Sequence, residues 1–189
     1  MKTLMRILVG IIGLVGVIYG IKQIYKGVGE ISGSRSSAPQ TLGDTYTSAE
    51  NGYSHRVPAG WESKPPPQAG IATMFVAPAS TGLNSNMVTT IESYEGTLAD
   101  YIAANKQAVG AAAPDAKFLT DTEFSTDAKV NAHKVKLQNK MQGTDLAQTM
   151  YFFDGTNGRK VIVTCTVPAK QKADLEGLFD DCMKTFAVK

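Results

Sequence analysis

Two histidines are the side chains of this chain best suited to acid–base catalysis or metal binding. His55 lies in a predicted strand beside Tyr53 and Arg56, and His133 lies within a run of alternating apolar residues. A metal site needs three or four ligands at a recognisable spacing, and a catalytic triad needs a nucleophile beside its base. Neither histidine has such neighbours in sequence. We therefore expect both to be structural, and we predict no catalytic, cofactor-binding or metal-binding residues.

Cys165 and Cys182 are the only thiols. An even number of cysteines in an oxidising compartment favours a disulfide. Cys165 lies roughly 10 Å before the turn at Pro168, whereas Cys182 lies roughly 18 Å beyond it along a predicted helix. That offset exceeds the Cα spacing of a disulfide unless the helix crosses the strand obliquely. A bond between the two and a pair of buried free thiols both remain open.

Five further residues could form a surface for a partner. Lys134, Lys136 and Lys140 fall on one side of an alternating strand, where they could dock an acidic partner or anionic lipid. They could equally form a solvated face that discourages strand pairing. Tyr53 and Trp61 could be recognition aromatics, or they could pack at the end of the sheet. We keep all five as a candidate partner surface.

The elements that position these residues are clearest at the carboxyl end. Val161, Val163, Cys165 and Val167 alternate along a strand that Pro168 closes. A helix then follows, with its apolar residues on one stripe that can be buried only against a sheet or another helix; they are Leu175, Leu178, Phe179, Cys182, Met183 and Phe186. The opposite side of that helix is charged. The pattern predicts a strand that leads into a helix folded back over the sheet.

The rest of the globular part adds a second helix and several strands. Thr97 caps a helix with Asp100 in an acidic capping box, and Gly110 ends it. Period-two patterns predict strands over 53–58, 71–77, 86–94, 117–124, 131–141 and 146–153. Because short turns join successive strands, the sheet should be mainly antiparallel. The fold class is therefore α+β, an antiparallel sheet sandwiched by helices.

The charge distribution bears on the class of partner. The formal net charge is +2, but residues 1–40 hold five basic residues and one acid, so the remainder is slightly acidic. A nearly neutral domain lacks the clustered Lys and Arg that neutralise phosphates. We therefore expect no nucleic-acid partner.

The amino-terminal segment reads as a membrane anchor. Ile7–Ile21 is an uncharged run preceded by Lys2 and Arg6, and flanking residues extend it to about the length that spans a bilayer. No pair of small residues follows for signal cleavage, although secretion after cleavage is the alternative. We expect a single transmembrane helix within residues 1–26, a flexible Gly/Ser linker over 27–44 and a globular domain over 45–189.

Orientation and pairing of this helix follow from its flanks and glycines. A slim excess of positive charge at the amino end favours a cytoplasmic amino terminus. The protein would then be a single-pass inner-membrane protein with its domain in the periplasm or outside the cell. Gly16 and Gly20 form a step of small residues that lets two helices approach closely, so helix-mediated self-association is one further expectation.

Two stretches of the globular domain resemble PsbP-like domains. Gly52-Tyr53-Ser54, followed by Pro58-Ala59-Gly60-Trp61, is similar to the opening of that superfamily. The stretch 151–166 and the helix ending in Met183-Lys184-Thr185-Phe186 look like its closing unit. Bacterial envelope proteins of the DcrB-like branch are the relatives we expect to be nearest. The resemblance implies an antiparallel sheet between helices and a binding or accessory role without catalysis.

We therefore expect a membrane-tethered, non-enzymatic binding or accessory module of the cell envelope, with an envelope protein as its partner. Two alternatives stay open. One is an enzyme whose polar groups converge only in the fold, and the other is a structural or assembly scaffold. An enzyme should show several convergent ionisable groups in a concave site, whereas a binding module should show an exposed apolar patch.

Overall fold

The computed structural model describes residues 41–66, 70–78, 84–141 and 143–189. Ten strands and two helices occupy them. The helices are α1 (Leu98–Ala112) and α2 (Lys172–Lys184). The strands are β1 (Leu42–Ser48), β2 (Tyr53–Pro58), β3 (Glu62–Lys64), β4 (Ile71–Val76), β5 (Asn86–Ser93), β6 (Lys117–Ser125), β7 (Asn131–Met141), β8 (Thr144–Asp154), β9 (Arg159–Pro168) and β10 (Ala187–Val188).

Seven of these strands form one antiparallel sheet in the order β3-β4-β5-β9-β8-β7-β6. Strand β9 is central and leads through a short 3₁₀ turn into α2. A second antiparallel sheet, in the order β1-β2-β10, joins the two ends of the described chain. The large sheet therefore has one short edge strand, β3, and one long edge strand, β6.

The two faces of the large sheet are covered by different elements. One face packs against α1 through a cluster that includes Ile102, Val135 and Phe152. The other face packs against α2 and the small sheet through a larger cluster that includes Tyr53, Val163 and Phe179. Alternation along β8 and β9 produces this division because successive side chains point to opposite faces. We refer below to the α1 face and the α2 face.

The predicted α+β class and mainly antiparallel sheet are confirmed. Thr97 caps α1 as expected, since its hydroxyl accepts from the Asp100 amide while the Asp100 carboxylate accepts from the Thr97 amide. The helix continues through Gly110 to Ala112, and the Ala113 amide beyond it donates to the Val109 carbonyl oxygen. Gly110 as the end of the helix was therefore wrong.

The beginning of the domain also differs from the prediction. Strand β1 starts at Leu42, so the last residues assigned to the linker belong to the sheet instead. This stretch is a strand because it pairs with β2. Its sequence, LGDTYTS, shows too little alternation of apolar and polar residues to predict a strand. The proposed membrane helix over 1–26 and most of the linker lie outside the described residues. Within the described residues, neither helix is long and apolar enough to cross a bilayer.

Candidate functional site

Strand β6 is exposed at eight of its nine residues, more than any other long strand of the large sheet. It pairs with β7 along one side, and no strand in the described part of the chain pairs with its other side. Phe118 is 36% exposed and Leu119 is 44% exposed, and they are the large hydrophobic residues that the described chain leaves exposed. The register with β7 shifts between Phe118 and Thr120, so Leu119 is an extra residue in the strand. A bulge of this kind locally bends the strand and redirects side chains.

Charged groups surround this apolar pair on the α1 face. The Lys106 Nζ lies 3.0 Å from Asp121 Oδ2 and 5.5 Å from the centre of the Phe118 ring. The Nδ1 of His133 lies 3.4 Å from Asp121 Oδ1. Partial burial raises the pKa of Asp121, but hydrogen bonds from Lys106 and His133 outweigh it and hold that pKa below its ordinary value. Glu123 lies beside them, directly across the ladder from His133.

The lysine stripe makes intramolecular ion pairs. The Lys134 Nζ lies 3.0 Å from both carboxylate oxygens of Asp180 on α2, and Lys136 pairs with Glu176 one turn earlier. The hydroxyl of Tyr151 donates to Asp180 Oδ1 at 2.6 Å. These contacts hold the charged edge of α2 against the sheet.

Lys140 differs from the other two lysines of the stripe. Its Nζ lies 3.8 Å from Asp145 Oδ1, and both side chains are largely exposed. Because Lys134 and Lys136 already have partners, the stripe does not present three free charges to a ligand. The charged side of α2 is therefore partly committed to ion pairs with the sheet.

Tyr53 and Trp61 are packing residues in the folded domain. Tyr53 is 1% exposed and Trp61 is 9% exposed. The Trp61 ring meets Phe179 of α2 edge-on at 5.8 Å between ring centres. Of the two roles open to this pair, the burial favours packing, and neither ring is available as a partner surface. The physical reason is the small sheet, whose β2 lies under α2 rather than at the rim.

His55 packs among aromatic rings that include Tyr53 and Phe186, and it is 0% exposed. Its ring stacks parallel to Tyr53 at 6.0 Å and to Phe186 at 6.4 Å. The Nδ1 lies 2.9 Å from the carbonyl oxygen of Arg56, so Nδ1 carries the proton and Nε2 is an acceptor. In the described part of the chain Nε2 has no hydrogen-bond partner. Burial therefore lowers the pKa of His55 to about 4.

Both cysteines are buried free thiols in the structure. Burial raises the pKa of Cys182 to about 12, and burial together with the nearby Cys182 raises the pKa of Cys165. Thiols in this state are poor nucleophiles. The disulfide stays a prediction for oxidising conditions.

One further cluster of ionisable groups lies on the α1 face at the end of β5. Burial raises the pKa of the Glu92 carboxyl, and the Tyr101 hydroxyl donates to its Oε2 at 2.7 Å. Asn105 in turn donates to the Tyr101 carbonyl oxygen. The arrangement ties α1 to β5. Among the described residues, no group of three or more His, Cys, Asp or Glu side chains could hold a metal ion.

Sequence reasoning missed the β6 residues as a surface. The strand itself was predicted, yet Phe118, Leu119, Asp121 and Glu123 were given no role. One signal was available: two consecutive large apolar residues break the period-two pattern that a half-buried strand shows. The position of β6 at the edge, which makes those residues accessible, follows from the strand order.

Comparison with known proteins adds evidence on the fold. No protein-family model and no curated protein matches the chain. Solved structures do match. CyanoP, the PsbP of Synechocystis sp. PCC 6803, aligns with a TM-score of 0.59 at 15% identity, covering 85% of this chain and 100% of that one. The Saccharomyces cerevisiae Ran-binding protein Mog1p aligns with a TM-score of 0.55 at 10% identity, covering 79% and 96%.

The domain has a PsbP/Mog1-like fold. A protein of unknown function from Pseudomonas aeruginosa, PA94, shares it, with a TM-score of 0.57 at 19% identity over 80% of this chain and 99% of that one. The fold implied by the resemblance to PsbP-like domains is thereby confirmed. Identities this low carry the architecture of a PsbP/Mog1-like domain and none of its individual functions.

Proposed function

We propose that this protein is a non-enzymatic binding or accessory module of the cell envelope and that the outer edge of β6 is its docking surface. The observation that carries the proposal is the exposure of β6. It is an edge strand of nine residues with an exposed Phe118–Leu119 pair. An edge strand presents unpaired N–H and C=O groups that can pair with another chain.

The contrast with the other edge supports this choice. Strand β3 has three residues, which is how natural sheets commonly limit pairing at an edge. Strand β6 is three times as long and carries its apolar pair at a bulge. Addition of a strand to such an edge is a common mode of peptide recognition, in which backbone hydrogen bonds give affinity and side chains give specificity.

The proposed cellular placement comes from the sequence. The apolar run Ile7–Ile21 would anchor the protein in the inner membrane, with its amino terminus inside and the domain in the periplasm or outside the cell. The Gly/Ser-rich linker would give the domain a reach of roughly 20–25 Å. Within the superfamily, the DcrB-like branch of envelope proteins fits this arrangement best. An envelope protein within that reach is the expected partner.

A photo-crosslinking amino acid at Leu119 of the full-length chain in its native membrane tests the proposal. We expect a reproducible adduct of discrete mass from this position. The matched control is the same crosslinker at Glu50, an exposed residue in the turn between β1 and β2. Adducts of equal yield from both positions, or none from Leu119, would contradict docking at β6.

An enzymatic role remains the competing function. It would require ionisable groups that converge on a substrate, and the Glu92–Tyr101 pair is where the described residues come nearest to this. The Tyr101 hydroxyl donates to Glu92, and this bond holds α1 to β5. Turnover of any substrate that is lost on changing Glu92 to Gln, in a variant that still folds, would favour the enzyme.

A further inference from the structure

Resting on the proposed docking role of β6, we propose that its occupant is an extended strand of a different protein. That strand would carry lysine or arginine beside Glu123 and an apolar residue beside Phe118. The face that each β6 side chain occupies, and the charges of β6 that are already paired, set this chemistry.

The α1 face of β6 displays an apolar group followed by two carboxylates. Phe118, Asp121 and Glu123 lie opposite Leu137, Val135 and His133 of β7, which alternate on that face. A strand added to the outer edge would place every second side chain beside these three. Its residues on this face would therefore run from an apolar position to basic positions, in the direction that the pairing sets.

Glu123 is the group that would select a basic partner residue. The Asp121 carboxylate already accepts from both Lys106 and His133. No ion pair joins Glu123 to a basic side chain in the described part of the chain, and the residue is exposed. An incoming lysine or arginine would therefore find an unpaired carboxylate at Glu123.

The α2 face of β6 places weaker chemical requirements on the partner strand. Thr120 and Thr122 lie on that face, opposite Lys136 and Lys134 of β7. Both lysines are engaged with α2. The threonines suit cross-strand pairing with threonine or serine. The partner strand should thus alternate small hydroxyl residues with basic and apolar ones.

A second copy of this chain fits the edge poorly. A symmetric antiparallel pair of β6 strands keeps like faces together. Centring the two-fold axis on Asp121, Thr122 or Glu123 then sets carboxylates opposite one another. Like charges directly opposite in a ladder are destabilising. The charge pattern therefore favours a basic partner strand over self-pairing.

The test uses a synthetic nine-residue peptide in which threonine alternates with lysine and valine, so that the lysines and valine share one face. Binding to the purified full-length chain is followed by fluorescence anisotropy. We expect Glu123→Lys to weaken binding by about fivefold, since it turns one cross-strand attraction into a repulsion. Glu50→Lys is the matched control and should leave affinity unchanged. Glu123→Asp should retain most of the binding.

Two peptide controls address the binding mode. A peptide with glutamate in place of lysine should bind at least about tenfold more weakly. A peptide N-methylated at every second residue along its pairing edge should not bind, because it cannot form the ladder. Thermal melts of both protein variants establish that each is folded. Equal binding of the lysine and glutamate peptides, or equal affinity of Glu123→Lys and Glu50→Lys, would overturn the inference.

The inference and the proposed function fail in distinguishable ways. If Leu119 still crosslinks to a partner while the lysine peptide shows no preference, docking at β6 stands and the basic-strand assignment is wrong. If the adduct at Leu119 proves to be a second copy of this chain, the basic-strand assignment is likewise overturned. If neither experiment shows contact at β6, both proposals fall.

Discussion

Acid should destabilise this domain because His55 is buried in its neutral form, and a variant that lacks this histidine should isolate its contribution. The neutral ring is buried among Tyr53, Phe186 and other aromatic rings, with Nδ1 donating to the Arg56 carbonyl oxygen. A proton added at Nε2 would place a charge where the described chain offers no acceptor. The folded protein therefore resists protonation, whereas the unfolded chain does not.

The size and sign of the effect follow from the pKa values. The pKa of His55 falls from 6.5 to about 4 on folding. Below pH 6.5 the unfolded state binds more protons than the folded state, so stability decreases as the pH is lowered through this window. A difference of this size corresponds to roughly 3 kcal/mol once the pH is below both values. Between pH 7 and pH 4.5 the expected loss is about 2 kcal/mol.

Urea unfolding of the full-length chain at pH 7 and pH 4.5, followed by Trp61 fluorescence, measures that loss. His55→Phe keeps a ring in the stack and removes the titrating group, so its loss over the same range should be smaller by about 2 kcal/mol. Subtracting the loss of the variant from that of the unmodified protein cancels the carboxylates that titrate in both. An equal pH dependence in the two proteins, or a His55 pKa near 6.5 by NMR titration, would refute this reasoning.

Three further predictions concern stability and reactivity. Asp180→Asn leaves Lys134 without its partner and should lower the free energy of unfolding by about 2 kcal/mol. Lys140 is exposed, so Lys140→Met should change that free energy by less than about 0.5 kcal/mol in the same urea titrations. Gly177→Ala within α2 adds a methyl group that meets no atom within 4 Å and should stabilise the domain by about 0.5–1 kcal/mol. Gly43→Ala should destabilise the domain, because its Cβ would lie 2.9 Å from the Ala59 Cα. Thermal melts measure both changes. The two buried cysteines should resist iodoacetamide in the folded chain and react after denaturation, as mass spectrometry can show; rapid labelling of the folded chain would contradict their burial.

The elements that could be predicted from sequence are those with strong local signals. The β9–α2 unit has a β-branched alternating strand and an uninterrupted apolar stripe, and the structure buries that stripe as expected. The capping box at Thr97 likewise fixes the start of α1 through contacts within four residues. Local chemistry of this kind needs no knowledge of the rest of the fold.

The elements that sequence reasoning missed depend on distant partners. Strands β1, β3 and β10 are short or weakly patterned and exist because β2 and β4 pair with them. The same limit applies to function. The sequence left recognition and packing both open for Tyr53 and Trp61, and only the fold shows that the small sheet buries them under α2. The exposure of β6 follows from strand order, which alternation along one strand does not encode.

Hydrogen–deuterium exchange along β6 tests the central claim most directly. The full-length chain would be compared before and after crosslinking through Leu119 to the protein captured there, with peptides resolved by mass spectrometry. Docking by strand addition predicts slower exchange of the β6 amides over Lys117–Ser125, with exchange at β3, the other edge of the same sheet, unchanged. Unchanged exchange in β6 together with protection at β3 or on the helices would contradict the account.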